Sequence, residues 1–227
     1  GNMFITERFA NESRRDYALR TIKDNIIRLE LKPGSLVSEK ELADEMGLSR
    51  GPVREALIEL AKVKIVEVYP QHGSIIAPVD YDLIDEARFM RETLEVAVVE
   101  RCCNMGLQQE TLIALEENIK LQQFYLENDN KNKLLELDNE FHRLLFYNVG
   151  LTQVYSLMNS MLVHFDRVRA MALTAVKDIK VIDDHRLILD ALIERDTESA
   201  KGLMHKHLTR YKVDKEAISK HYPEYLK

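Results

Sequence analysis

The fold of the N-terminal part of the chain is decided by residues 38–57, which read SEKELADEMGLSRGPVREAL. Ser38 and Glu41 fit a capping box, in which each side chain accepts a hydrogen bond from an N–H group that the helix start leaves unpaired. Gly47 is suited to end this helix in the left-handed conformation, and Ser49 is suited to cap a second helix. The stretch therefore predicts two short helices joined by a tight turn, the helix-turn-helix motif.

The flanking sequence adds a helix before this motif and a hairpin after it. Residues 16–31 carry apolar side chains at helical spacing and are followed by Pro33-Gly34, which predicts a helix. Residues 65–69 and 74–77 are typical of two strands around the turn at 70–73. Such a hairpin would form a wing that lies on a neighbouring groove of a bound duplex.

The second helix of the motif carries arginines on its outward side. Arg50 projects from its first turn and Arg54 follows one turn later. The N-terminal end of such a helix enters the major groove of DNA, where guanidinium groups reach phosphates and guanine edges. The alternative is a helical corner with solvated arginines. The order of helix, turn, helix and hairpin favours a winged helix-turn-helix DNA-binding domain.

Proline and charge both divide the chain near residue 79. Four of the five prolines lie in residues 1–79, so breakers are concentrated there. The same residues hold 12 acidic and 12 basic side chains, and the net charge of -6 therefore belongs entirely to residues 80–227. We expect a turn-rich DNA-binding domain over 1–79 and a helical domain over 80–227. The acidity of the whole chain does not count against nucleic-acid binding by the first domain.

Cysteine usage and apolar patterning indicate where the protein works. Cys102 and Cys103 are adjacent and give no disulfide framework, which favours a reducing, cytoplasmic setting. Charged residues make up 31% of the chain, and no apolar run approaches the length of a membrane span. We therefore expect a soluble cytoplasmic protein without a membrane partner.

From residue 82 onward, apolar residues repeat at helical spacing over about six segments. The segments are 82–105, 108–128, 131–148, 151–173, 178–195 and 197–219. Their apolar stripes are sufficient for the core of an all-α helical bundle. The predicted fold class is therefore mainly α, with the winged helix-turn-helix first and the bundle second.

Polar residues on these apolar stripes predict a metal site. Asp138 and His142 lie one turn apart on the same face, and His185 and His207 each lie on the apolar face of another helix. A buried carboxylate needs a partner, and one carboxylate with three imidazoles is a common ligand set for divalent metals. The alternative is that each histidine is a satisfied core residue and that Asp138 and His142 form a plain hydrogen bond.

Arg91 and His164 are candidates for contact with a small-molecule ligand. Arg91 lies on a buried stripe, where it would either pair with Glu95 one turn later or bind a ligand carboxylate. His164 shares a face with Leu157 and Met161 and could line a cavity. Both are therefore predicted as effector-binding residues.

Four short segments of the first domain carry a more specific pattern. They are Pro33-Gly34-Ser35-Leu36-Val37-Ser38-Glu39, Glu41-Leu42-Ala43, Gly47-Leu48-Ser49-Arg50 and Pro52-Val53-Arg54-Glu55-Ala56-Leu57. They resemble the GntR family of bacterial transcription regulators. The resemblance implies DNA contacts by Ser49, Arg50, Gly51 and Arg54, and by Gln71, His72 and Gly73 at the wing tip. The chain departs from the family at Gly51, where threonine is usual, and at Lys64, which replaces a glycine before the wing.

The second domain carries a further set of family residues. They are Arg91-Glu92-Thr93-Leu94-Glu95, the Asp138–His142 pair, His185-Arg186 with Leu189-Asp190-Ala191-Leu192, and His207-Leu208. They resemble the FCD ligand-binding domain of the FadR subfamily. The resemblance implies that Asp138, His142, His185 and His207 hold a divalent metal ion and that Arg91 faces the effector. Zinc is the favoured cofactor, with nickel and manganese as alternatives.

The two resemblances cover about residues 13–215 and imply a transcription regulator. We expect a homodimer that represses by binding a double-stranded DNA operator and is released by a small organic acid bound at or near the metal. One alternative is a metal-dependent hydrolase, but the apolar stripes offer no compelling glutamate as its general base, so we expect no enzyme. The other is a regulator whose metal is purely structural and whose bundle serves only for dimerisation.

Overall fold

The computed structural model describes residues 3–175 and 180–227, with side chains for all of these except 173–175 and 211–214. Its elements in chain order are α1 (Arg14–Ile27), β1 (Leu36–Val37), α2 (Glu39–Met46), α3 (Arg50–Lys62), β2 (Val66–Tyr69), β3 (Gly73–Ile76), α4 (Tyr81–Met105), α5 (Gln109–Glu127), α6 (Lys131–Asn148), α7 (Thr152–Asn159), α8 (Val163–Ala175), α9 (Val181–Ile193), α10 (Thr197–Thr209) and α11 (Tyr211–His221). A 3-10 turn follows over Pro223–Tyr225. The fold is mainly α, as the sequence predicts. We call residues 14–76 the head, residues 77–80 the linker, and α4 to α11 the bundle.

Helix α1 begins earlier and ends earlier than the sequence predicts. Its start is fixed by Ser13, whose hydroxyl accepts a hydrogen bond from the Asp16 N–H group at 3.0 Å. The sequence predicts a helix over residues 16–31, whereas the helix begins at Arg14 and ends at Ile27. Leu29 has a left-handed backbone, with φ of 65°, which turns the chain away before the proline is reached.

Helices α2 and α3 form the predicted helix-turn-helix. The Ser38 hydroxyl accepts a hydrogen bond from the Glu41 N–H group at 3.0 Å, and Gly47 ends α2 with φ of 67°. Ser49 stands at the cap position of α3, but its hydroxyl makes no capping hydrogen bond. The buried side of α3 faces α1 and α2 and consists of Val53, Ala56, Leu57 and Leu60. The opposite side of α3 is therefore left to solvent.

The hairpin after α3 is part of a three-stranded sheet in the order β1-β3-β2. Strands β2 and β3 pair antiparallel, with Val66 opposite Ile76 and Tyr69 opposite Gly73. Strand β1 adds to the other edge of β3. Strand β1 has only two residues, and a strand this short leaves no alternation of apolar and polar residues by which the sequence could predict it.

The bundle follows the predicted segments with two differences. The segment predicted at 151–173 is divided into α7 and α8 by a break at 160–162, and the one predicted at 197–219 is divided into α10 and α11 at Arg210. The first two residues of the segment predicted at 178–195 lie outside the described residues. Among the described helices, none is both long and apolar enough to cross a membrane.

Helix α8 packs against both the head and the rest of the bundle. Its residue Val163 belongs to the buried core of the head, beside residues of α1 and α3. Its residues Phe165, Val168 and Met171 pack in a separate core with Ile218 of α11. From 162 to 172 every side chain is buried, so this part of α8 has no exposed face.

The backbone at Lys64 supplies a test of the turn before the wing. Lys64 has φ of 63°, a conformation in which a Cβ costs roughly 1 kcal/mol. We expect Lys64→Gly to raise the free energy of unfolding by about 0.5–1 kcal/mol, measured by urea denaturation. Lys64→Ala retains the Cβ and should give no gain. Equal stabilisation by both variants would show that this backbone conformation carries no strain.

Candidate functional site

The structure brings the four predicted metal ligands together. Asp138 and His142 lie on α6, His185 on α9 and His207 on α10, and all four are buried. One ligand atom from each lies within 4.8 Å of all the others. Three helices therefore deliver one carboxylate and three imidazoles to a single point, which we call the histidine cluster.

Each imidazole of the histidine cluster is held through its Nδ1 atom by an oxygen acceptor. The pairs are His142 with Glu95, His185 with Gln122 at 2.8 Å, and His207 with Asp184 at 3.0 Å. Because these partners offer oxygen atoms, each Nδ1 donates a proton and each Nε2 keeps its lone pair. Such second-shell acceptors fix the ring orientation of metal-binding histidines.

The lone pairs of the histidine cluster face one another. The Nε2 atoms of His142 and His207 are 3.2 Å apart, and Nε2 of His185 is 3.0 Å from Oδ1 of Asp138. Neither of the latter two atoms has a hydrogen-bond partner within the described chain. Tetrahedral zinc ligands at bond lengths of about 2.0–2.1 Å lie roughly 3.4 Å apart, which is close to these two separations. The donor set, with all four ligand atoms within 4.8 Å of one another, therefore suits a divalent cation.

The protonation states of three of the four ligands agree with this fit. Burial lowers the pKa of His185, and it lowers the pKa of His207 to about 3, so both are neutral near pH 7. Burial opposes ionisation of Asp138, but Arg169 and the neighbouring histidines hold its pKa well below the usual value. Burial likewise opposes charge on His142, yet Glu95 raises its pKa, so a proton competes with a cation for Nε2 of this ring.

Two buried arginines lie beside the histidine cluster. Arg91 forms the predicted ion pair with Glu95, with Nε and Oε2 2.5 Å apart, while its Nη1 has no hydrogen-bond partner within the described chain. Nη2 of Arg169 lies 2.9 Å from Oδ2 of Asp138. Both guanidinium groups approach the ring of Phe165, at 4.9 and 6.0 Å from its centroid. Arg91 therefore forms the predicted ion pair, and the contact of its Nη1 amino group with a ligand stays a prediction.

A small cavity lies beside Asp138 of the histidine cluster. It has a volume of about 10 Å³ and is lined by Gln122, Leu134, Leu135, Asp138, Arg169, Val181 and Ile182. A cavity of this volume holds at most about one water molecule, so this cavity by itself does not hold an organic acid.

His164 lies where α8 contacts the head. Its Nε2 is 2.6 Å from the carbonyl oxygen of Val63 in the head, and burial lowers its pKa. The predicted face of His164 requires one continuous helix, but the break at 160–162 resets the helical phase. Leu157 and Met161 of that predicted face are exposed. The contacts of His164 therefore connect α8 to the head and do not place it in the histidine cluster.

The predicted DNA-contacting residues lie on the outward side of the head. Ser49, Arg50, Gly51, Arg54, Gln71 and His72 are exposed, and Gly73 is half-buried. A groove of about 840 Å³ runs between α3 and the hairpin, and Arg50, Arg54, Gln71, His72 and Gly73 line it. This groove is open, and its walls come from β1, α2, α3 and the hairpin of β2 and β3.

Two contacts shape this groove. Nε and Nη2 of Arg54 donate hydrogen bonds to the two carboxylate oxygens of Glu39 at 3.2 and 3.1 Å, which holds the guanidinium in place. A Cβ at Gly73 would lie 2.9 Å from the carbonyl oxygen of Val37, so the wing tip requires glycine. A Cβ at Gly51 would meet nothing within 4 Å, so packing does not require glycine there.

The sequence matches two family profiles. Residues 16–76 match the profile described as bacterial regulatory proteins, gntR family, and residues 86–210 match the FCD domain. An HTH-type transcriptional regulator in an unstable DNA locus of Streptomyces ambofaciens is 35% identical over 217 residues, covering 93% of this chain and 89% of that protein. The HTH-type transcriptional repressor RspR of Escherichia coli is 30% identical over 190 residues, 83% of each chain.

Solved structures share the fold. McbR of E. coli superposes with a TM-score of 0.78 at 21% identity, covering 92% of this chain and 99% of that one. A transcriptional regulator from Rhodococcus sp. RHA1 superposes with a TM-score of 0.70 at 21% identity, covering 91% and 98%. The whole arrangement of head and bundle therefore recurs in both proteins.

The Arg91–Glu95 pair makes a prediction about stability. Replacing one member of a buried ion pair leaves the other charge uncompensated, so Glu95→Gln and Arg91→Met should each lower the free energy of unfolding by about 3 kcal/mol. The double variant removes both charges and should lose clearly less than the sum of the two. Urea denaturation of the metal-free proteins measures all three values. Strictly additive losses would contradict a direct coupling between the two side chains.

Proposed function

The chain belongs to the GntR family of bacterial transcription regulators and carries an FCD domain, and from this premise we propose that it is a metal-dependent repressor controlled by a small organic acid. Its relatives and both matched domains are those of transcription regulators, which decides against the hydrolase alternative. The observation that carries the proposal is the convergence of three Nε2 lone pairs and one carboxylate oxygen.

The head, within the domain proposed at residues 1–79, would read the operator. Helix α3 would enter the major groove by its N-terminal end, with Ser49, Arg50 and Gly51 in its first turn and Arg54 one turn later. The wing tip at 71–73 would follow the neighbouring groove. Glu39 holds the Arg54 guanidinium in a fixed orientation, which suits a bidentate contact with a guanine edge.

The bundle, within the domain proposed at residues 80–227, would hold the metal. Asp138, His142, His185 and His207 would be its ligands, and Glu95, Gln122 and Asp184 would hold the imidazoles in place. When bound, a divalent metal supplies positive charge and a coordination position open to an oxygen ligand. Three imidazoles with one carboxylate suit zinc, with nickel and manganese as the other candidates.

The effector would be a small organic acid. The free Nη1 of Arg91 is a buried donor that a carboxylate would satisfy, and Arg169 adds a second guanidinium beside Asp138. Binding would select an arrangement of the helices that gives the acid room beside these groups. The effector would thereby bind the two arrangements with different affinity, as any switch requires.

Repression and dimerisation complete the proposal. The relative RspR is named a repressor, which favours repression as the output. Residues 1–79 have no net charge, so a single head offers little nonspecific attraction to DNA. Two heads of a homodimer, bound to two half-sites, would together give a higher affinity for DNA than one head. The distance between the heads would have to equal the spacing of the half-sites in the operator.

A purely structural metal is the second candidate, and the burial of all four ligands favours it. A thermal-shift screen of small organic acids against the zinc-loaded protein separates the two. A controlling effector should raise the melting temperature and change the affinity for a duplex selected from a random library. A structural metal should give neither response, while metal removal should unfold the bundle.

Substitution in α3 tests the assignment of the recognition helix. Arg50→Ala and Arg54→Ala should each weaken binding to a selected duplex by about tenfold or more and should reduce the salt dependence of binding. Lys62, exposed at the other end of α3, provides a control of equal charge, and Lys62→Ala should change the affinity by less than about threefold. Fluorescence anisotropy at two salt concentrations measures these values. Equal losses in all three variants would mean that only overall charge matters.

Two histidines on α10 test the metal site. His207 lies in the histidine cluster, whereas His205, two residues earlier, is exposed and contacts Glu92. Elemental analysis of gently purified protein should give about one metal ion per chain for the parent and for His205→Ala. His207→Ala should lose most of the metal. Full metal content in His207→Ala would remove the site from this position.

A further inference from the structure

Arg167 of α8 is a buried cation that is held by the linker. Its side chain is 1% exposed, and Nη1 and Nη2 donate hydrogen bonds to the carbonyl oxygens of Ala77 at 2.7 Å and Pro78 at 3.1 Å. Within the described chain it forms no ion pair with a carboxylate, and its Nε has no partner. Burial alone lowers its pKa to about 10. A buried charge without a counter-ion is costly, so its position needs a reason other than stability.

The same linker is held on a second side by residues 225–227. The Val79 N–H group donates a hydrogen bond to the carbonyl oxygen of Tyr225 at 2.7 Å, and the Lys227 N–H group donates one to the carbonyl oxygen of Val79 at 2.9 Å. Nζ of Lys227 lies 3.2 Å from Oδ2 of Asp80, which caps α4. The linker is thus fixed by three successive carbonyl groups and one N–H group.

Helix α8 also contacts the histidine cluster and the head. Arg169 contacts Asp138, and His164 contacts the carbonyl oxygen of Val63 at the end of α3. Residues two positions apart on a helix point in nearly opposite directions, so Arg169 and Arg167 face the cluster and the linker from opposite sides of α8. Because every side chain from 162 to 172 is buried, α8 cannot move without disturbing these contacts.

We propose that Arg167 is a positioning residue that ties the head to the bundle through the linker, so that a shift of α8 at Asp138 is passed to the DNA-reading surface. This proposal rests on the proposed function, because it assumes that the bundle controls the head. Arg167 itself contacts neither the histidine cluster nor the groove beside α3. Removal of its guanidinium should therefore uncouple metal binding in the histidine cluster from DNA binding at the groove beside α3, without weakening either one.

Amide hydrogen exchange tests whether Arg167 holds the linker, independently of any effect on DNA binding. In the full-length, zinc-loaded protein, Arg167→Met should accelerate exchange at the Val79 N–H group by about tenfold or more. The matched control is Arg195→Met, because Arg195 also donates to two successive carbonyl groups, those of Cys103 and Asn104, far from the linker. Arg195→Met should leave exchange at Val79 unchanged. Unchanged exchange in a folded Arg167→Met would overturn the proposal.

The ratio of duplex affinities with and without Zn²⁺ tests the coupling. This ratio should fall toward one in Arg167→Met, whereas zinc affinity and binding of the duplex by the zinc-free protein should stay at parental values. If Arg167→Met does not fold, Arg167→Lys, which cannot reach both carbonyl groups as a fork, should show a smaller effect in the same direction. A parental ratio in a folded variant would overturn the coupling role. A ratio of one in the parent would overturn the proposed function, and the exchange measurement would still decide whether Arg167 holds the linker.

Discussion

The rest of the structure depends on how three imidazole rings are held. Each ring uses Nδ1 to bond an oxygen acceptor, and the Nε2 atoms are thereby turned toward one another and toward Asp138. In a buried site such a meeting of lone pairs is unfavourable without positive charge between them. The acceptors come from α4, α5 and α9, so the orientation of the rings fixes how these helices pack around α6 and α10.

Further buried charged residues lie on α4 and α8 beside the histidine cluster. Arg169 of α8 contacts Asp138, and Arg91 pairs with Glu95 on α4. Arg167 of α8 contacts the linker and has no carboxylate partner in the described chain. Apolar residues of similar volume would often stabilise a fold as well as such buried charges do. The proposed switch between two arrangements accounts for their cost, because polar contacts can be exchanged as units when the helix between them moves.

The sequence predicts features that depend on signals between residues close in the chain, such as helix caps, or on a polar residue within an apolar stripe. The helix-turn-helix follows from caps at Ser38 and Gly47, which act within a few residues, and the candidate ligands stand out as polar residues on apolar stripes. Gln122 and Arg169 could not be found in this way. The role of Gln122 comes from a neighbouring helix, and residues 163–172 of α8 are all buried, so Arg169 interrupts no recognisable stripe. The break before α8 changes the helical phase, so residue spacing across it does not predict the neighbours of His164.

The central claim is that the Nε2 atoms and the Asp138 carboxylate share one cation. X-ray absorption spectroscopy at the zinc edge of the full-length, zinc-loaded protein tests it most directly. The account predicts about three imidazole nitrogens and one or two oxygens at about 2.0–2.1 Å, with the outer-shell scattering that imidazole rings produce. A spectrum with sulfur ligands at about 2.3 Å, or with oxygen ligands only, would contradict the account.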